Sequence, residues 1–115
     1  VCIVTQSHKQ IENRTTSRFF PDTIVIDQAR YPTIPRIEQI LEMVGFSNII
    51  SKEYLFEPIR LGDEFLRAVE NRGFSMLHKI SDDAYKTGLE NLRQALSEGE
   101  ILEYEASYTF VWGSV

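Results

Sequence analysis

The chain opens on an apolar run. Val1, Ile3 and Val4 are followed by the polar Thr5-Gln6-Ser7, which closes the segment. Such a near-continuous run predicts a strand over 1–7 buried on both faces, as in a parallel sheet. From His8 to Pro32 the patterning is irregular. A short helix fits within 8–18, and Thr23-Ile24-Val25-Ile26 predicts a short strand between Pro21 and Pro32. About 25 residues with so little regular pattern are expected to be functional or mobile.

Helical spacing is clearest over 33–44. Ile34, Ile37, Ile40, Leu41 and Val44 share one face, while Arg36, Glu38, Gln39 and Glu42 take the other. Thr33 can cap the start, Pro35 suits the first turn, and Gly45 supplies the stop. A strand is expected over 48–56. A second helix over 62–72 points Phe65, Leu66 and Val69 inward and ends at Gly73. Residues 74–80 read as a turn or short helix. Ser81-Asp82-Asp83 then starts a helix with a capping serine and two carboxylates at the positive end of the helix dipole. Tyr85, Leu89, Leu92 and Leu96 form its apolar stripe, up to Gly99. Residues 102–112 alternate: Tyr104, Ala106, Tyr108, Phe110 and Trp112 on one face, Glu103, Glu105, Ser107, Thr109 and Val111 on the other. One long strand is expected there. With no internal repeat and no linker, the whole reads as a single domain.

Composition narrows the function classes. At 115 residues, 43% hydrophobic and 25% charged, the chain has the balance of a soluble globular domain with a modest core. Its net charge of −5, with no basic run, gives no electrostatic reason to expect nucleic acid. No apolar run approaches the roughly 20 residues that span a bilayer, so no membrane partner is expected. Cys2, the only cysteine, excludes an internal disulfide, suits a cytoplasmic location and reads as a small buried hydrophobe. Two histidines and one cysteine without close spacing give no metal site. The absence of G-x-S-x-G removes a serine-hydrolase reading. The chain begins inside a predicted strand and lacks an initiator methionine, which is read as part of a longer parent.

Val1-Cys2-Ile3-Val4-Thr5-Gln6-Ser7 resembles the fifth strand of class I, Rossmann-like S-adenosylmethionine-dependent methyltransferases. Arg30-Tyr31-Pro32 and the helix ending Met43-Val44-Gly45-Phe46 resemble the stretch before and after their fifth helix. Arg72-Gly73-Phe74-Ser75-Met76-Leu77, leading into Ile80-Ser81-Asp82-Asp83, is similar to a helical insertion of the small-molecule enzymes. Tyr108-Thr109-Phe110-Val111-Trp112 resembles their last strand. The likeness lies in order and spacing over nearly the whole chain.

The resemblance implies an α/β fold forming the C-terminal portion of that sheet. It would be a mixed three-stranded sheet with the last strand central and antiparallel, flanked by 1–7 and 48–56. Helix 33–44 would be the crossover, and a helical insertion over about 62–98 would cover an acceptor pocket. The implied activity is methyl transfer to a small-molecule acceptor, with this segment giving sheet edge and acceptor lid. The family's methyl-donor site uses a glycine-rich turn; the six glycines here stand singly. S-adenosylmethionine is therefore expected in the parent and not on this segment alone. The segment alone is not expected to turn over, and its first partner would be the missing N-terminal cofactor-binding half. An open edge on strand 1–7 further predicts a homodimer, through that edge or by a swap. The other reading is an autonomous, non-catalytic α/β module that binds a ligand or a protein.

Acceptor-side candidates lie beyond the carboxyl end of the first strand. Ser7 is one. His8 reads as acceptor contact or general base, against an exposed loop histidine. Arg18-Phe19-Phe20 reads as pocket wall, against two rings buried to anchor the loop. Arg30-Tyr31 reads as substrate contact, against an ion pair or helix entry, and His78 as a pocket residue, against a packed or exposed role. Catalytic residues are not fixed by the sequence, and Asp82-Asp83 reads as helix capping.

Overall fold

The computed structural model describes residues 1–104 and 106–115 of the chain. Strand β1, Cys2–Thr5, leads into three short helices: α1 (His8–Glu12), α2 (Thr15–Phe19) and α3 (Asp22–Arg30). Helix α4 (Ile34–Met43) precedes strand β2 (Ser47–Leu55) and the short β3 (Ile59–Leu61). Then come α5 (Asp63–Glu70), a 3-10 turn at Ser75–His78, α6 (Asp82–Ser97), β4 (Leu102–Tyr104) and β5 (Ser107–Ser114).

The three-stranded sheet has the order β1-β5-β2, and both ladders are antiparallel. The last strand is thus central and reversed, and β1 and β2 run in the same direction on either side of it. The registers Cys2↔Trp112, Val4↔Phe110, Ile50↔Trp112 and Tyr54↔Tyr108 put these side chains on one face. The other face carries Ile3, Val111 and Ile49, and α4 packs on it with Ile37 and Leu41. Thr33 caps α4 by accepting from the Arg36 amide, and Gly45 takes the left-handed φ of 102° at its end.

The second, larger core is helical. Phe19 and Phe20 pack with Val69, Leu77, Tyr85, Leu89, Leu92 and Leu102. The Tyr85 hydroxyl donates to the carbonyls of Val69 and Glu70 at 2.7 and 3.0 Å, tying α6 to the end of α5. Gly88 is where α6 meets the Phe19-Phe20 turn: a Cβ there would lie 2.3 Å from Phe20 Cε1 and 2.6 Å from the Phe19 carbonyl oxygen. Strands β3 and β4 form a separate two-stranded ladder on this side of the molecule.

Four expectations are corrected. Residues 23–26 are helical: Asp22 lies in the first turn of α3, Thr23 bonds the Phe20 carbonyl at 2.6 Å, and Val25 points outward at 72% exposure. The 8–32 stretch is consequently not irregular but three helices. The 102–112 segment is two strands in two sheets; Glu105, assigned to the face opposite Tyr104, lies outside the described residues. Finally, β1 is not buried on both faces and Cys2 is exposed, because no described helix covers the Cys2–Val4 side of the sheet. Among the described residues, no helix is long and apolar enough to cross a membrane.

Candidate functional site

A cavity of about 410 Å³ lies beside the helical core, between it and the end of the three-stranded sheet. Gln6, just past the carboxyl end of β1, and Tyr108 of β5 form its sheet side. Arg14, Thr15 and Thr16, at the start of α2, and Tyr31, after α3, form a second wall. Leu61, Phe65, Phe74, Met76 and Tyr104 close it from the helical side. The volume is within the usual range for small-molecule sites, ~300–1,000 Å³, and the walls are mainly aromatic and apolar with a few convergent polar groups.

Local sequence explains how the first wall is held. Ser7 caps α1 by accepting from the Gln10 amide, and the Gln10 side chain accepts from the Ser7 amide, a reciprocal capping box. Buried Gln10 also accepts from Thr109 Oγ1 at 2.8 Å and donates to Ser107 Oγ at 2.7 Å, locking α1 onto β5. Gln6 Nε2 donates to the Ser107 carbonyl at 3.1 Å. The Thr15 hydroxyl donates to the Glu103 carbonyl at 2.8 Å, which fixes α2 to β4.

Arg14 is the unusual member. Its side chain is 13% exposed, and its Nη2 donates to buried Asp27 at 2.5 Å. Arg30 also approaches Asp27, at 3.6 Å, and donates to Ser75 Oγ at 3.0 Å. Two guanidiniums therefore share one carboxylate. The Arg14 Nε–H is buried and has no hydrogen-bond partner among the described residues. Leaving a buried donor unpaired costs on the order of 1–3 kcal/mol, more when it is charged.

Across the cavity the hydroxyls of Tyr104 and Tyr108 lie 3.3 Å apart. Burial pushes the Tyr104 phenol up to about 12, with Tyr108 raising it further through hydrogen bonding and proximity. Tyr104 is thus neutral at ordinary pH, and its hydroxyl can donate or accept.

Of the residues singled out from the sequence, Tyr31 alone lines this cavity. Ser7 acts as the α1 cap. His8 lies one residue further on, its Nε2 donating to the Tyr31 carbonyl at 2.8 Å, so it positions the Tyr31 segment from outside. Arg18 pairs with Glu100 at 2.6 Å on the surface, holding that carboxyl below its usual range, and stacks over Phe19. Phe19 and Phe20 are helical-core residues. His78 ends the 3-10 turn without reaching the cavity. Gln6 falls beyond the first strand's carboxyl end, where acceptor contacts were expected, whereas Arg14, Phe74, Tyr104 and Tyr108 were missed as wall residues. The Ser7-x-x-Gln10 box was a readable signal for the local geometry; nothing local marks Arg14.

Among the described residues, no group of three or more His, Cys, Asp or Glu is placed to hold a metal ion. No family model, curated protein or solved structure matches this chain.

Proposed function

We propose that this chain is the acceptor-binding part of an S-adenosylmethionine-dependent methyltransferase acting on a small molecule. One observation supports the reading above the others. The reversed last strand lies between β1 and β2, with a cavity between the carboxyl end of β1 and the 59–104 segment. That is the arrangement the family resemblance implies for the C-terminal portion of its sheet and its acceptor lid.

In this reading the chain's own residues bind, orient and exclude water. Phe65, Phe74 and Met76 shut the acceptor away from solvent, while Gln6, Arg14 and the two tyrosine hydroxyls fix its orientation. The residues present do not fit the methyl donor itself: six glycines stand singly, and no pair of them makes the close-approach turn. The reading therefore requires a cofactor-binding half encoded upstream. The uncovered sheet face, with exposed Val4, Ile50, Tyr54 and Phe56, and the free β1 edge are where it would pack. Determining the upstream coding sequence tests this. A strand followed by a glycine-rich turn, and then a strand ending in Asp or Glu, is expected within about one domain half of ~100 residues. An upstream reading frame without them would leave the non-catalytic binding module as the better account.

A further inference from the structure

The walls of the cavity select a chemical class of guest. We propose that it takes an uncharged, planar aromatic molecule carrying one hydroxyl or carbonyl oxygen. The rings lie against Phe65, Phe74 and Met76, and the oxygen meets the Tyr104–Tyr108 hydroxyl pair. The inference deepens the reading of this cavity as an acceptor site and rests on it only in calling the guest the methyl acceptor.

Three observations converge on this class. First, aromatic residues enter from all three walls: Tyr108 from the sheet side, Tyr31 from the second wall, and Phe65, Phe74 and Tyr104 from the helical side. Rings gain most from offset-stacked and edge contacts with another ring, and Phe65 and Phe74 stand 6.0 Å apart at a tilt of 55°, within that range. Leu61, Phe65 and Phe74 pack against the helical core yet remain only half-buried, so an apolar guest completes burial that the chain leaves unfinished. Second, the polar end is hydroxylic. A tyrosine hydroxyl offers one donor and can accept as well. The Tyr104 and Tyr108 hydroxyls lie 3.3 Å apart, so one donates to the other and the pair retains a proton for a guest oxygen. Third, the walls give an ion no free counter-charge. Among the described lining residues Arg14 alone is charged; its Nη2 is engaged by Asp27 and its Nε is buried out of reach. An anionic guest would give up its hydration for a guanidinium that is already paired, and a cationic guest would meet a like charge.

The test uses the 115-residue chain at neutral pH and two-dimensional NMR, with 2-naphthol, naphthalene, 2-naphthoate and decan-1-ol as probes. 2-Naphthol, uncharged under these conditions, is expected to bind at one site, with nuclear Overhauser effects from its ring protons to the Met76 methyl and the Phe74 ring. It should bind about fivefold to tenfold more tightly than naphthalene, which lacks the oxygen. 2-Naphthoate, with the same rings and a charge, and decan-1-ol, with a hydroxyl and no ring, should both bind more weakly than 2-naphthol. Tyr104→Phe combined with Tyr108→Phe keeps both rings and removes both hydroxyls. This double variant should hold 2-naphthol no better than naphthalene, while its unchanged affinity for naphthalene shows that it is folded. Phe74→Ala should weaken both 2-naphthol and naphthalene. The proposal is overturned by binding of none of the probes, or by Overhauser effects confined to residues outside the cavity. It is equally overturned if naphthalene, 2-naphthoate or decan-1-ol binds as tightly as 2-naphthol, or if the double variant binds 2-naphthol as the parent does. Failure here leaves the methyltransferase reading standing if the complete protein binds S-adenosylmethionine. Success here with no methyl-donor site in the complete protein removes the methyltransferase reading and leaves a site for neutral aromatic molecules.

Discussion

Replacing Gly88 with alanine should destabilise the chain even though alanine is the better helix former. In an exposed helix interior the change would gain about 1 kcal/mol. At Gly88 the added carbon would sit 2.3 and 2.4 Å from Phe20 Cε1 and Cδ1 and 2.6 Å from the Phe19 carbonyl oxygen. Comfortable carbon contacts lie near 3.5–4.0 Å, so α6 and α2 must separate by about 1 Å. Phe20 cannot swing aside, because it is 1% exposed and its ring stacks on Tyr85. The Phe19 oxygen is backbone and can move only with its helix. Overpacking costs ~1–3 kcal/mol, and the contact with an immovable ring and a backbone oxygen puts this site at the upper end, ~2–3, so the net loss after the propensity gain is on the order of 1–2 kcal/mol. Against a total of ~5–15 kcal/mol for a domain, that is a readable fraction. Urea denaturation followed by circular dichroism should show the midpoint lowered by roughly 0.5–1 M. Glu90→Ala, on the exposed side of the same helix, should stay within about 0.5 kcal/mol of the parent. A Gly88→Ala midpoint equal to or above the parent's would refute the close α2–α6 approach that holds the cavity's second wall.

Three further outcomes follow from the same geometry. Spectrophotometric titration should find Tyr104 ionising at about 12, above the ~10 of a free phenol, and Tyr108→Phe should bring it down. Because the folded phenol is the weaker acid, stability should be unaffected below ~10 and fall as pH rises toward 12; stability rising there would contradict the burial of Tyr104. Cys2, being exposed, should react fully with a thiol reagent in the native state, and protection until unfolding would place another surface over β1. The open β1 edge predicts self-association at high concentration, where sedimentation should show a dimer and Cys2 labelling, complete in dilute solution, should slow; a clean monomer would show that the β1 edge is not used between copies.

Helix α4 was readable because its signals agree: a threonine cap, a first-turn proline, an apolar stripe and a glycine at positive φ. Helix α6 was readable for similar reasons, although the significance of Gly88 within its stripe was not. The order of the three-stranded sheet came from the resemblance rather than from periodicity. Residues 23–26 misled because a β-branched run ordinarily marks a buried strand. Here Val25 faces outward, and Thr23 and Asp27 are held by Phe20 and Arg14, contacts that local propensity does not register. The alternation over 102–112 suggested one strand, yet 102–104 pairs with β3 and 107–114 with β1 and β2. The cavity was least legible. Its walls come from residues as far apart as Gln6 and Tyr108, and the candidates clustered after β1 instead serve as cap, core and surface pair.

Calorimetric titration of S-adenosylmethionine tests the functional account most directly, performed on residues 1–115 and on the product of the complete reading frame. The account predicts one-site binding by the complete product and no heat from the 115-residue chain. Tight binding by the 115-residue chain alone, or none by the complete product, would contradict it.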